Sequence, residues 1–499
     1  MQPTASDLQF WAITRRLPVE PWIGGVSLRQ RISSGAEGLD RVLRGGFPIG
    51  NLYLVQGKPG TGKTTIALQF LRAGAALGER CLYVSLSQTG EDLAEIAASH
   101  GWSLDGIDIV ELQTQDESRQ AGQSIFQTSD LRLDRTREQI EAAIEKYNPE
   151  RLVYDSLLEV RLLTDDMARY QRELIGLRAF VGARGITTLL LDTDLTGDST
   201  SDSQSRGIVH GIVSFDKTLP AFGRAKRRIE VSKMRGVALH DGWHDMDIRS
   251  GEGVVVFPRL SPEIEDEVAL DESLIRSGRE RLDAMFGGGM EAGTTTMVVG
   301  QAGTGKSTMA SLYATAALER GEEVVLFLFE ERVETFFRRS EGLGMDLRGY
   351  HAEGKLRLFD FNPEEITAGE FGQIVQGEAE SDKLRVVVID SFTGYMNALA
   401  HADQALFDIQ SMLKHLAHRN VLTILIVAQH GLLGHNIDMQ LDLSFLGDTV
   451  LFLRMREEDR QVRRDIVAVK KRHGPHDMAI RELIIEPGRV DIAEIEDRA

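Results

Sequence analysis

Two stretches of the chain carry residues spaced for handling phosphate. Gly57-Lys58-Pro59-Gly60-Thr61-Gly62-Lys63-Thr64 and Gly300-Gln301-Ala302-Gly303-Thr304-Gly305-Lys306-Ser307 both fit the pattern G-x-x-x-x-G-K-[ST]. Glycines at these positions let backbone N–H groups turn inward around phosphate oxygens, a nest that side chains would close. A helix starting at the lysine points its positive end at the same anion. Lys63 and Lys306 then reach the outer phosphates, and the hydroxyls of Thr64 and Ser307 are placed to ligate magnesium. Thr65 and Thr308 complete each nucleotide-binding set. ATP with Mg2+ is the ligand expected at both places.

The remaining chemistry needs acids. Val386-Val387-Val388-Ile389-Asp390-Ser391 and Arg151-Leu152-Val153-Tyr154-Asp155-Ser156 each end a strand-like run in an aspartate, suited to hold the metal directly or through water. Hydrolysis also needs a base for the attacking water. Leu326-Phe327-Leu328-Phe329-Glu330-Glu331 supplies two carboxylates at a strand end in the second half. The corresponding positions of the first half are Ser87 and Gln88, neither of which accepts a proton at neutral pH. Gln88 can still position water. The expectation is that the first half holds ATP and hydrolyses it slowly, if at all.

These residues require strand, glycine loop and helix in that order. Leu52-Tyr53-Leu54-Val55 and Thr296-Met297-Val298-Val299 precede the loops. Ile66, Phe70 and Leu71, and likewise Met309, Leu312, Tyr313 and Ala316, give the following segments a helical pattern that stops near Gly78 and Gly321. The two loop lysines stand 243 residues apart, and the same offset superposes Ser34-Gly35 on Ser277-Gly278, Asp40 on Asp283, Gly45-Gly46 on Gly288-Gly289 and Gly78-Glu79 on Gly321-Glu322. An ungapped offset of that reach marks a duplicated domain. Strand-like runs at 80–86, 152–155 and 187–191, with hairpin-like runs from 226 to 257, recur as 323–329, 385–389 and 421–427, then 448–454 and 464–471. The fold expected is α/β: two tandem domains, each a mostly parallel sheet flanked by helices with added antiparallel strands. The limits read as an N-terminal extension at 1–30, a first domain at 31–260, an acidic linker at 261–273 and a second domain at 274–499.

Composition bounds the partners. The chain has 499 residues and a formal net charge of −19, which disfavours broad binding to nucleic acid. The segment 198–205, rich in Ser and Asp, reads as a surface loop. No apolar run reaches ~18 residues, so no membrane span is expected. Met1 to Gln9 lacks a secretory pattern, and the single cysteine, Cys81, excludes an intramolecular disulfide. A cytoplasmic location is expected.

Taken together, these residues resemble the KaiC family within the RecA-like ATPases. The resemblance runs from about Arg31 onward. It is carried by the lead-in Ser34-Gly35 through Asp40 to Gly45-Gly46, by the tandem phosphate loops, by Glu330-Glu331 and by the two Asp-Ser pairs. The late segments Lys233-Met234-Arg235 and Lys470-Lys471-Arg472 match that family's K-x-R, and His476-Asp477 to Ile480-Arg481-Glu482 is also family-like. The resemblance implies a double-ringed homohexamer with ATP between subunits. Lys233 and Arg235, and Lys470 and Arg472, would then reach the phosphates of a neighbour. It also marks departures. Where clock members carry adjacent phosphorylated Ser/Thr residues, this chain has Ser444-Phe445, so only Ser444 can accept phosphate. The long regulator-binding tail of clock members is not found after Gly488.

The reading is an oligomeric, ATP-hydrolysing regulatory or signalling protein, with Glu330, Glu331, Lys306, Lys470 and Arg472 as catalytic candidates. Hydrolysis is assigned mainly to the second domain and nucleotide-dependent assembly to the first. Two alternatives share the same phosphate chemistry: a serine/threonine autokinase modifying Ser444, and a RecA-like motor acting on DNA.

Overall fold

The computed structural model describes residues 30–112, 129–162, 166–193, 206–219, 224–260, 271–362, 364–397, 402–429, 445–458 and 460–493. The strands of the first large sheet are β1 (Leu52–Gly57), β2 (Cys81–Ser85), β3 (Ile107–Glu111), β4 (Arg151–Asp155), β5 (Thr187–Thr193), β6 (Gly211–Thr218), β7 (Lys226–Met234), β8 (Trp243–Arg249) and β9 (Gly253–Phe257). They lie in the order β3-β2-β4-β5-β1-β6-β7-β8-β9. The second sheet contains β10 (Thr295–Gly300), β11 (Glu323–Leu328), β12 (Leu356–Asp360), β13 (Leu384–Asp390), β14 (Leu422–Ala428), β15 (Thr449–Glu458), β16 (Gln461–Lys471), β17 (Arg481–Glu486) and β18 (Arg489–Ile492). Its order is β12-β11-β13-β14-β10-β15-β16-β17-β18. The second list is the first with every strand shifted by nine, so the duplication read from the glycine loops extends to the whole topology. The fold is α/β, two tandem RecA-like units.

In each sheet the first six strands pair in parallel and the last three are antiparallel additions. A parallel sheet needs cover on both faces, and the central strands are correspondingly apolar on both. Alternate residues divide between two cores. Tyr53, Val55, Tyr83, Val153 and Leu189 pack on one face of the first sheet with the helix Lys63–Ala75. Leu52, Leu54, Leu82, Val84, Leu152 and Leu190 pack on the other. Cys81 begins β2 as a buried free thiol, and burial raises its pKa to about 11.

The duplicated lead-in is a turn lock. Ser34 N donates to Asp40 Oδ1 at 2.7 Å, and Ser277 N donates to Asp283 Oδ1 at 2.8 Å. Gly45 N and Gly288 N then close on the carbonyls of the same aspartates, at 2.7 and 2.8 Å. A buried carboxylate that accepts backbone N–H groups fixes the chain's entry to each sheet.

The two units touch along the antiparallel edge of the first sheet. Gly369 N, at the start of the helix Ala368–Glu378, donates to Asp245 Oδ2 of β8 at 2.8 Å. Arg249 pairs with Glu370, and Arg259 Nε meets Asp408 Oδ1 at 2.9 Å. Lys226 Nζ caps the carbonyls of Glu364 and Ile366 at 3.1 and 3.2 Å.

Candidate nucleotide sites

Both phosphate loops leave the C-terminal end of a central parallel strand, where open α/β sheets place their ligands. The first glycine of each loop is required by space. A Cβ on Gly57 would stand 2.6 Å from the carbonyl oxygen of Phe215, and one on Gly300 would stand 2.3 Å from that of Leu453. Each loop ends in a left-handed glycine, Gly62 at φ 109° and Gly305 at φ 103°, which caps its helix with backbone alone. The first N–H groups of Lys63–Ala75 and Lys306–Glu319 therefore have no side-chain cap, the arrangement that suits an anion. Thr61 and Thr304 are fully buried, and their hydroxyls bond inside the loop to Lys58 O at 2.9 Å and Gln301 O at 2.8 Å. They hold the loop's shape from within. Thr65 and Thr308, in the first turn of the helices that follow, are also buried.

Lys63 Nζ rests on the carbonyls of Gly57 and Lys58 at 2.7 and 3.0 Å, and Lys306 Nζ rests on Gln301 O at 2.8 Å. Burial lowers both ammonium pKa values. Asp155 and Asp192 oppose the shift at Lys63, and Asp390 and Glu330 oppose it at Lys306. The acids predicted from sequence thus converge on the loops. At the second site the Asp390 carboxyl is pushed up by burial, against the opposing influence of the Ser307 hydroxyl and of Arg339. A hydroxyl and one carboxylate at the loop are the donors that magnesium takes beside substrate phosphates, with water filling its other positions. Among the described residues no group of three or more His, Cys, Asp or Glu side chains gathers into a metal cage.

The second site also separates the paired glutamates. Ser391 Oγ donates to Glu330 Oε1 at 2.7 Å and accepts from Gly394 N at 3.0 Å. Glu331 is instead gripped by Arg339, through Nε at 3.2 Å and Nη2 at 2.7 Å. One carboxylate is oriented by a neutral hydroxyl and exposed; the other is neutralised by a cation. Sequence reading missed Arg339, which stands on a different element, the helix Val333–Gly342.

At the first site Asp155 accepts a 2.5 Å bond from the buried Tyr83 hydroxyl. Burial raises the Asp155 pKa against that bond, and raises the Tyr83 pKa as well. Asp192 pairs with Arg161, and the aligned second-half positions are Val427 and Met396. Ser87 and Gln88 follow β2 as expected, Ser87 exposed. Gln88 does not simply face open solvent: its Oε1 is buried with no hydrogen-bond partner.

The K-x-R residues lie away from the phosphate loops of their own units. Arg235 N bonds to His210 O, and His210 N bonds to Leu52 O, the first residue of β1. Five strand residues, about 17 Å at 3.3 Å each, separate that end from the loop. Arg472 repeats the placement through Asp448 and Thr295. Lys233 Nζ caps Val209 O at 2.8 Å, Lys470 Nζ caps Gly447 O at 2.7 Å, and Arg472 Nη1 contacts Asp448 Oδ1 at 3.2 Å. The family-like segment near the C-terminus is pinned, with Asp477 paired to Arg481 and Asp477 N bonded to Met285 O at 2.8 Å. Ser444 and the 198–205 segment lie outside the described residues.

The family model described as "ATPase: KaiC" matches residues 32–261 and again 275–497. The circadian clock protein KaiC3 of Synechocystis sp. is 26% identical over 467 residues, covering 92% of this chain and 90% of that protein. The circadian clock oscillator protein KaiC of Thermostichus vulcanus is 28% identical over 474 residues, covering 94% and 89%. That of Synechococcus elongatus is 27% identical over 463 residues, covering 92% and 88%.

Proposed function

The chain belongs to the KaiC family of ATPases, and we propose that it is an ATP-driven oligomeric regulatory protein with an unequal division of labour. The second unit carries most of the hydrolysis. The first holds ATP chiefly to drive assembly. The observation behind this reading is the carboxylate pair at the second loop, opposite Ser87 and Gln88 at the first.

The chemistry assigned to the second site follows from its parts. Backbone N–H groups of 300–306 and Lys306 bind and orient the triphosphate. Glu330, aimed by Ser391, takes a proton from water as its oxygen bonds to the γ-phosphorus and the bond to the bridging oxygen breaks. Glu331 is held aside by Arg339. Ser307 and Asp390 would hold Mg2+, as would Thr64 and Asp155 at the first site; the ion supplies neutralising charge to the phosphate oxygens.

Charge developing on the transferred group needs cations that this chain's own K-x-R segments do not bring to its own loops. In an assembly, Lys470 and Arg472 are assigned to the neighbour's second loop and Lys233 and Arg235 to its first. That placement couples assembly to nucleotide occupancy. A homohexamer in the cytoplasm is the form this reading adopts, following the family resemblance.

The test is steady-state ATP turnover measured alongside mass in solution. Glu330→Gln combined with Glu331→Gln should remove most turnover while ATP still drives assembly. Unchanged turnover in that double variant contradicts the assignment.

A further inference from the structure

The first site is not without a positioned carboxylate. The two strand-ending aspartates, Asp155 and Asp390, are each followed by a serine and then by a helix of six residues, Leu157–Leu162 and Phe392–Asn397. Aligned on those pairs, Glu159 falls on Gly394. In the second unit Ser391 donates to Glu330, a residue of the neighbouring strand end. In the first unit the equivalent serine, Ser156, donates to Glu159. Two homologous hydroxyls thus each orient a carboxylate, drawn from different elements.

Space explains why only one source is used at a time. A Cβ on Gly394 would lie 2.8 Å from Glu330 Oε1 and 3.2 Å from its Cγ. The side-chain direction at this position therefore leads to the place where the Glu330 carboxylate sits, and glycine leaves it open. In the first unit the strand-end position holds the short Ser87, and the helix position holds a glutamate. The other acids near the first loop are committed: Asp155 accepts from Tyr83 and Asp192 pairs with Arg161.

We propose that Glu159 is the general base of the first site, a carboxylate moved from the strand end to the following helix. It accepts the proton of a water whose oxygen bonds to the γ-phosphorus as the bond to the bridging oxygen breaks, the electron pair leaving on ADP. The proposal rests on the reading above that the first loop binds ATP, and it gives the slow turnover assigned to that site a residue.

The experiment uses the full chain carrying Lys306→Ala, so that the remaining phosphate release comes from the first site. Adding Glu159→Gln should lower that remainder about a hundredfold, with the first site's affinity for a fluorescent ATP analogue unchanged, since a base acts on the transition state and not on binding. Combining Ser87→Glu with Glu159→Gly, which rebuilds the second site's arrangement, should restore it. Phosphate release that survives Glu159→Gln overturns the proposal, and so does a Lys306→Ala chain with no measurable release while the analogue still binds. If Lys306→Ala itself leaves total turnover high, the division of labour fails instead, and Glu159→Gln still reports separately on Glu159.

Discussion

The two nucleotide sites share a sheet order, a glycine loop, a lysine and an Asp-Ser strand end, and differ in how their acids are restrained. At the second site Asp390 is buried beside the loop, and Glu330 answers to the neutral hydroxyl of Ser391. At the first, Asp155 is bonded by a tyrosine from inside the core and Asp192 by an arginine, and the carboxylate that answers to a neutral hydroxyl, Glu159, comes from the following helix instead of the strand end. The lesson is that the scaffold fixes where a triphosphate sits. On the proposed reading, the partners of the surrounding carboxylates set how fast each site turns it over. Duplication supplied two copies of the first property and left the second free to diverge.

The sharpest way to break the contrast is Glu330→Gln, which should cost about 10²–10⁴-fold in steady-state phosphate release. Glu331→Gln should cost much less, because Arg339 already neutralises that carboxylate; equal losses would mean that the two act as one group. Next comes Gly394→Ala. Its methyl would press on Glu330 Oε1, and the displaced carboxylate should lose about ten- to hundredfold in turnover with ATP affinity retained. Arg339→Met should lower turnover roughly tenfold or less by releasing Glu331, for a partly exposed ion pair worth about 1 kcal/mol or below.

Two further variants act on stability. Tyr83→Phe removes the donor to buried Asp155 and should destabilise the first unit by about 1–3 kcal/mol in denaturant unfolding, leaving total turnover nearly unchanged. Asp245→Asn has the smallest effect. Burial raises the folded pKa of Asp245, so its contribution is full below the unfolded value and is lost as pH rises through the folded one. Asparagine keeps an acceptor for Gly369 N without the charge. The variant should gain stability relative to wild type from about pH 4 toward neutrality, read as a growing difference in melting temperature.

Much of this was legible in the residues. The loops declare themselves by pattern, the duplication by a constant offset, and Asp155, Asp390 and Glu330-Glu331 by their places at the ends of apolar runs. What was hidden has physical reasons. Strands β3 and β12 are half-exposed edge strands with few buried side chains, so they lack the apolar run that marks the central ones. Arg339 and Tyr83 act across elements that only folding brings together. Ser156-Leu157-Leu158-Glu159 did carry a signal, because S-x-x-E is the pattern of a helix-capping box. That local meaning conceals a carboxylate held by the serine that follows Asp155. Gly394 looks featureless until the carboxylate beside it is seen.

The central claim is most directly tested by phosphate release and solution mass measured together for Lys63→Ala and for Lys306→Ala. The account predicts that Lys306→Ala loses most turnover and still assembles with ATP, whereas Lys63→Ala keeps most turnover per chain and loses ATP-driven assembly. Turnover that survives Lys306→Ala but vanishes with Lys63→Ala would contradict it.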